Sequence, residues 1–115
     1  PGQNDRIEIL RSDSVPVIEN HGQGCHIRIL SPPENAGQHE VYDIRFDPGG
    51  ALRSQAHSRG TREQLTVVRG AVTVTSGSAT EVLETGDTAR YAADLPHAIA
   101  SQDGEAQVFL IVQSG

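Results

Sequence analysis

The chain has 115 residues, enough for one hydrophobic core and too few for two. Hydrophobic residues make up 36% of it, and no apolar run approaches the ~20 residues that a membrane-spanning helix needs. Its nine cations, all arginine, face 15 carboxylates for a net charge of −6, a poor surface for nucleic acid, whose affinity comes largely from cations displacing counterions.

Short runs with period two, cut by glycine and proline, dominate the rest. In chain order they predict strands near Arg6–Leu10, Cys25–Leu30, Glu40–Asp47, Glu63–Arg69, Ala71–Ser76, Thr80–Glu84, Thr88–Tyr91, His97–Ser101 and Ala106–Gln113. Residues 11–23 are polar and read as a loose connection. Turn clusters fall at 31–35, 47–50, 76–78, 85–87 and 102–104. No stretch carries a helical period with caps, so the fold class is all-β, a sandwich or a barrel. Gly70 lies between two alternating runs, where a bulge or tight corner needs positive φ, and Gly86 precedes Asp87 at a turn for the same steric reason.

Cys25 is the only cysteine, which excludes an internal disulfide. It alternates with Ile27 and Ile29, which makes it a small core residue and fits a reducing cytoplasm. The absence of lysine excludes Schiff-base chemistry. The chain starts at Pro1 with polar residues, shows no leader pattern and contains no methionine, so a fragment or processed product is expected.

His57, Glu63 and His97 stand out as candidate metal ligands, because each falls at the entry to a predicted strand. Two imidazoles and a carboxylate suit zinc, iron, manganese or nickel, and on a rigid sheet they form a facial triad. From spacing alone the alternative is three unrelated polar residues. Arg59 has two readings as well: a clamp on an anionic ligand, or a charge facing solvent or pairing with Glu63. Tyr42, Phe46, Tyr91 and Phe109 are all the aromatics, and they read as core, with Tyr42, Phe46 and Tyr91 as candidates to line a ligand pocket. His21, His26 and His39 sit in polar surroundings and read as surface.

The segment from Pro48-Gly49-Gly50 through His57-x-Arg59, Glu63 and Gly70 resembles the first motif of the cupin family: glycine, His-x-His, glutamate, glycine. Gly86 and His97 fall at matching positions of the second motif, with Ala92, Asp94 and Ser101 in place of its proline, glycine and asparagine. The resemblance runs from about Tyr42 to Val112 and implies a double-stranded β-helix, or jelly-roll barrel, as a single domain over 1–115, with its core at about 42–112 and N-terminal strands within 6–30. It also implies a metal site on His57, Glu63 and His97. Arg59 replaces the second histidine of the pair, and a guanidinium has no lone pair to give a metal. The resemblance therefore implies either a divalent ion on three protein ligands or a pocket that works without one.

The runs 57–70 and 86–98 resemble, more narrowly, the cupin half of bacterial helix-turn-helix regulators of the XRE type. That implies a cytoplasmic, dimeric domain sensing a small effector, anionic where Arg59 acts as a clamp, with DNA bound through a helical domain not in this chain and no membrane partner. The competing class is a stand-alone metal-dependent enzyme: a dioxygenase, isomerase or lyase.

Overall fold

A computed structural model describes residues 6–20 and 23–115. Ten strands are assigned in chain order: β1 Val17–Asn20, β2 Cys25–Ile29, β3 His39–Phe46, β4 Ala51–Ser54, β5 Arg62–Arg69, β6 Ala71–Ser76, β7 Ala79–Glu84, β8 Thr88–Ala92, β9 His97–Ser101 and β10 Ala106–Gln113. They build two antiparallel sheets, β1-β2-β3-β10-β5-β8 and β4-β9-β6-β7. Among the described residues the only helical pieces are single 3-10 turns at Ser12–Ser14 and Pro33–Asn35.

Alternation decides which side chains enter the space between the sheets. In β5, Glu63, Leu65 and Val67 are buried while Gln64 and Thr66 are not; in β10, Ala106, Val108, Leu110 and Val112 are buried. These residues meet Ile44 and Phe46 of β3, Val72 and Val74 of β6, and Ile99 of β9 in one core. Cys25 is fully buried in the same core, and burial pushes its thiol up, so it packs as a small hydrophobe.

Most strands lie within a residue or two of the sequence expectation, and two do not. Arg6–Leu10 forms no strand: Ile7 and Ile9 are 85% and 61% exposed. The place beside β2 is taken instead by β1, which comes from the stretch expected to be a loose connection and pairs Val17 with Arg28 through Asn20 with Cys25. The N-terminal strands therefore span Val17–Ile29 and not 6–30. β4 was hidden because only Ala51 of its four residues is buried, and its ladder with β9 is a long-range pairing that local pattern does not reveal.

Glycine carries two of the corners. Gly70 has φ +81°, and a Cβ there would sit 2.4 Å from the Glu105 carbonyl; it joins β5 to β6 beside an irregularity in the β5–β10 register. Gly86 also has positive φ, as the turn required. His21, expected on the surface, lies outside the described residues.

Candidate functional site

The three candidate ligands come from different parts of the chain and meet at one end of the space between the sheets. Glu63 enters from β5 of the six-stranded sheet, and His97 from β9 of the four-stranded one. His57 lies in the loop between β4 and β5, which is tied down by main-chain hydrogen bonds. The His57 N–H donates to the Ala93 carbonyl at 2.9 Å, and the Ala93 N–H returns one to Thr61 at 2.8 Å. The Gly60 N–H donates to the Asp94 carboxylate at 2.9 Å, so the residue replacing the family's glycine also anchors this loop.

One donor atom from each of the three side chains lies within 4.8 Å of the others. Glu63 Oε2 is 3.1 Å from His97 Nε2 and 3.5 Å from His57 Nε2. The His57 and His97 rings meet edge to face with centroids 4.9 Å apart. Two donors bonded at ~2.1 Å to a common ion would themselves be roughly 3.0–3.4 Å apart, so the two Glu63 contacts already suit a coordination shell, while the two histidines would have to draw closer together.

Hydrogen bonding orients the donors. A carbonyl oxygen only accepts, so the 2.7 Å contact between His97 Nδ1 and the Leu95 carbonyl fixes a proton on Nδ1. In the neutral ring, Nε2 then presents a lone pair towards Glu63 Oε2. The Tyr91 hydroxyl donates to Glu63 Oε1 at 2.7 Å, leaving Oε2 for the shared point. Burial and the neighbouring Glu63 push the Tyr91 phenol well above its usual range, so it stays a donor. Lone pairs converging this closely in a buried setting need a cation between them, either a proton or a metal ion. The donor set fits a divalent metal such as zinc, iron, manganese or nickel.

His97 and Glu63 are buried and His57 is partly open, with a side chain 42% exposed, so the site communicates with the outside along one face. A cavity of about 190 Å3 adjoins His57 and Glu63 and is also lined by Tyr42, Ser54 and Glu40. Burial, followed by the nearby Glu40, holds the Tyr42 hydroxyl up at about 12. A larger groove of about 580 Å3, between the segment around Ile9 and Leu10 and residues 29–33, is lined by none of the triad but shares Glu40 and Tyr42 with this cavity.

The other sequence candidates separate. Tyr42 lines the cavity; Tyr91 acts on the triad through Glu63; Phe46 lies 2% exposed in the core and does not line the cavity. Arg59 is exposed in the loop after His57 and does not line the cavity either, because positions 58–60 turn outwards at Gly60, φ +83°. Leu52 and Ser54 were missed along with β4, and only an alternation too short to stand out in Ala51–Ser54 pointed to them. His26 is more than a surface residue, since both its nitrogens engage carboxylates, Glu19 and Asp47.

Comparison with known proteins bears on this arrangement. No curated protein matches the chain. It is similar to an HTH_3 family transcriptional regulator from Vibrio cholerae, with 24% identity and TM-score 0.73 over 80% of this chain and 52% of that one; the chain thus spans about half that relative's length. It is similar to the cupin domain of an XRE family transcriptional regulator from Enterobacter cloacae, with 20% identity and TM-score 0.73 over 81% of this chain and 99% of that one. It also resembles hydroxypropylphosphonic acid epoxidase from S. wedmorenis, in complex with fosfomycin, with 19% identity and TM-score 0.75 over 93% of this chain and 59% of that one. At these identities the likeness speaks for the fold. The cupin domain model matches residues 42–113, from within β3 to the last residue of β10, and the chain belongs to the cupin family.

Proposed function

We propose that this chain is the effector-sensing domain of a transcription regulator, whose pocket holds a divalent metal on His57, Glu63 and His97 and a small molecule in the adjoining cavity. The observation that carries the reading is the convergence of three donors, two of them buried, at the end of a cavity open along the His57 side. The likeness to cupin domains of HTH_3 and XRE family regulators supports a regulatory context. With net charge −6 and no lysine, the chain itself is not a DNA reader, so DNA would be met by another domain of the full-length protein.

When bound, the ion would supply a Lewis-acidic centre with open positions, since three protein donors leave room for a ligand. The chain's own residues do the rest. Tyr91 orients Glu63, the Leu95 carbonyl sets the His97 tautomer, and Asp94 holds the His57 loop. Ligand binding would favour one arrangement of a homodimer over another, and differential affinity for the two arrangements would change DNA binding.

A second reading is a metal-dependent enzyme, favoured by the open face at His57 and by the likeness to an epoxidase. Two measurements test the choice. Zn(II) titration of the chain should approach about one equivalent, with weak retention on dialysis, and His97→Ala should abolish it. The full-length protein should shift duplex DNA at low salt, whereas this chain alone should not. A full-length protein without DNA binding, but with a metal-dependent turnover, would replace the sensor reading by the enzyme one.

A further inference from the structure

The cavity beside the triad has two unlike ends. Towards β1, β2 and the middle of β3 its wall is aliphatic, with Ile18, Ile27 and Ile44 in register, joined by Leu110 of β10 and Leu52 of β4, whereas Val112 lies in register between Glu40 and Glu63. Towards the triad it offers His57, Glu63, Tyr42 and Ser54. Its volume of about 190 Å3 equals roughly six waters and is below the ~300–1,000 Å3 of pockets for drug-sized molecules. Among the described residues no arginine lines it, the chain has no lysine, and two carboxylates, Glu40 and Glu63, do line it.

Each property excludes a class of ligand. Hydroxyls spread around a sugar would lose their water wherever they met the aliphatic side chains, and find partners only towards Glu40, Tyr42, Ser54, His57 and Glu63. In the metal-free chain a phosphate or carboxylate would face Glu40 and Glu63 with no arginine or lysine to balance it, a penalty that a divalent ion on the triad would lift. An uncharged molecule with a short branched body buries that body on the aliphatic wall and leaves one polar end for the triad.

We propose that this cavity selects a small, uncharged aliphatic molecule with a single polar end over polyhydroxylated ones and, while the triad is metal-free, over anionic ones. The inference rests on the cavity being the effector site, as proposed above, but it requires no metal, because the aliphatic wall makes the selection.

The test holds the head group constant and varies the body. Methyl-resolved NMR titrations of the metal-free chain would use acetamide, 3-methylbutanamide, 2,3-dihydroxypropanamide and, as the anionic arm, 3-methylbutanoate. Each buried carbon is worth roughly fourfold in affinity, so 3-methylbutanamide should bind at least tenfold tighter than acetamide. It should also bind at least tenfold tighter than the dihydroxy amide, and tighter than 3-methylbutanoate. Shifts should centre on the methyls of Ile44, Leu52 and Leu110. Leu52→Asn should erase most of the preference; the near-isosteric Val112→Thr, which keeps the packing volume, should reduce it if the first variant fails to fold. Equal affinities, tighter binding of the dihydroxy amide or the carboxylate, shifts on another surface, or no saturable shift from any probe would overturn the inference. Repeating the series with Zn(II) separates the two proposals. Failure of zinc to bind at His57 and His97 would reject the metal reading, while the metal-free series still decides the selectivity.

Discussion

Tyr91 shows how much of the site depends on a side chain that donates nothing to the converging point. Its hydroxyl occupies Glu63 Oε1 and leaves Oε2 facing both histidines. Removing it strands a buried carboxylate oxygen and frees the carboxylate to rotate. Tyr91→Phe should therefore weaken metal affinity by ~10–100-fold, as loss of a partner to a metal ligand does. It should also lower unfolding free energy by about 1–3 kcal/mol in the metal-free protein. Competition with a chromophoric chelator reads the first effect and urea denaturation the second; unchanged metal affinity would mean that Glu63 is held by the sheet alone. In the sequence, Tyr91 was legible as an aromatic near a pocket, but not as a partner of Glu63. The two are adjacent only through the β5–β8 register, in which Glu63 sits opposite Tyr91 across 28 residues of chain.

At the scale of elements, the β5–β6 corner and the β1–β2 hairpin make contrasting predictions. Gly70 combines φ +81° with a Glu105 carbonyl 2.4 Å from where a Cβ would stand, while Gly86 has φ +94° and open space around it. Gly70→Ala should cost about 3 kcal/mol or more, since backbone strain and a collision with main chain add. Gly86→Ala should cost about 1–3 kcal/mol from the backbone alone. Chemical denaturation of the two variants checks the order, and equal losses would show that the β10 backbone yields. The sequence supplied both glycines and the sign of φ, but the neighbouring carbonyl comes from Glu105, just before β10 and 35 residues later.

The hairpin is fastened by His26, whose imidazole sits between the carboxylates of Glu19 on β1 and Asp47 after β3. Hydrogen bonds to Glu19 and then Asp47 raise its pKa above the ordinary 6.5. The protonated ring is thus favoured in the folded state. Its contribution is full below pH 6.5 and is lost as pH rises through the raised folded value. The melting temperature of the native chain should fall over that window relative to His26→Gln, in which the slope should flatten. Identical profiles would mean that the carboxylates do not hold the ring in solution.

For the whole molecule, the apolar surface is concentrated at the N-terminal side. Ile7, Ile9, Leu10, Val17 and Ile18 are between 48% and 85% exposed, five of the nine exposed large hydrophobics among the described residues, the last two on the outer edge strand of the six-stranded sheet. The radius of gyration, 14.8 Å, exceeds the roughly 13.4 Å expected of a compact domain of this length. Such a surface with an open edge is expected to be covered by a second copy about a two-fold axis. Light scattering at micromolar concentration should give twice the chain mass, and Ile7→Glu with Val17→Glu, at exposed positions that do not line the cavity, should return the monomer; a monomeric native chain would remove the homodimer from the sensing scheme.

The sequence by itself determined the all-β class, most strand positions, the core identity of Cys25 and the three candidate ligands. Period-two burial and turn chemistry are local properties, and two family motifs preserve their spacing in this chain. It did not determine which stretch would occupy the sheet edge. Arg6–Leu10 has the better alternation, yet Val17–Asn20 takes the place, because it precedes β2 by only four residues of chain and pairs with it in antiparallel register. Only the tertiary structure decided that Arg59 turns away from the cavity, that Phe46 packs in the core, and that Tyr91 and the Leu95 carbonyl orient the ligands. Each of these depends on two sheets closing on one another, and contacts between strands distant in sequence leave no periodic trace in the residues that make them.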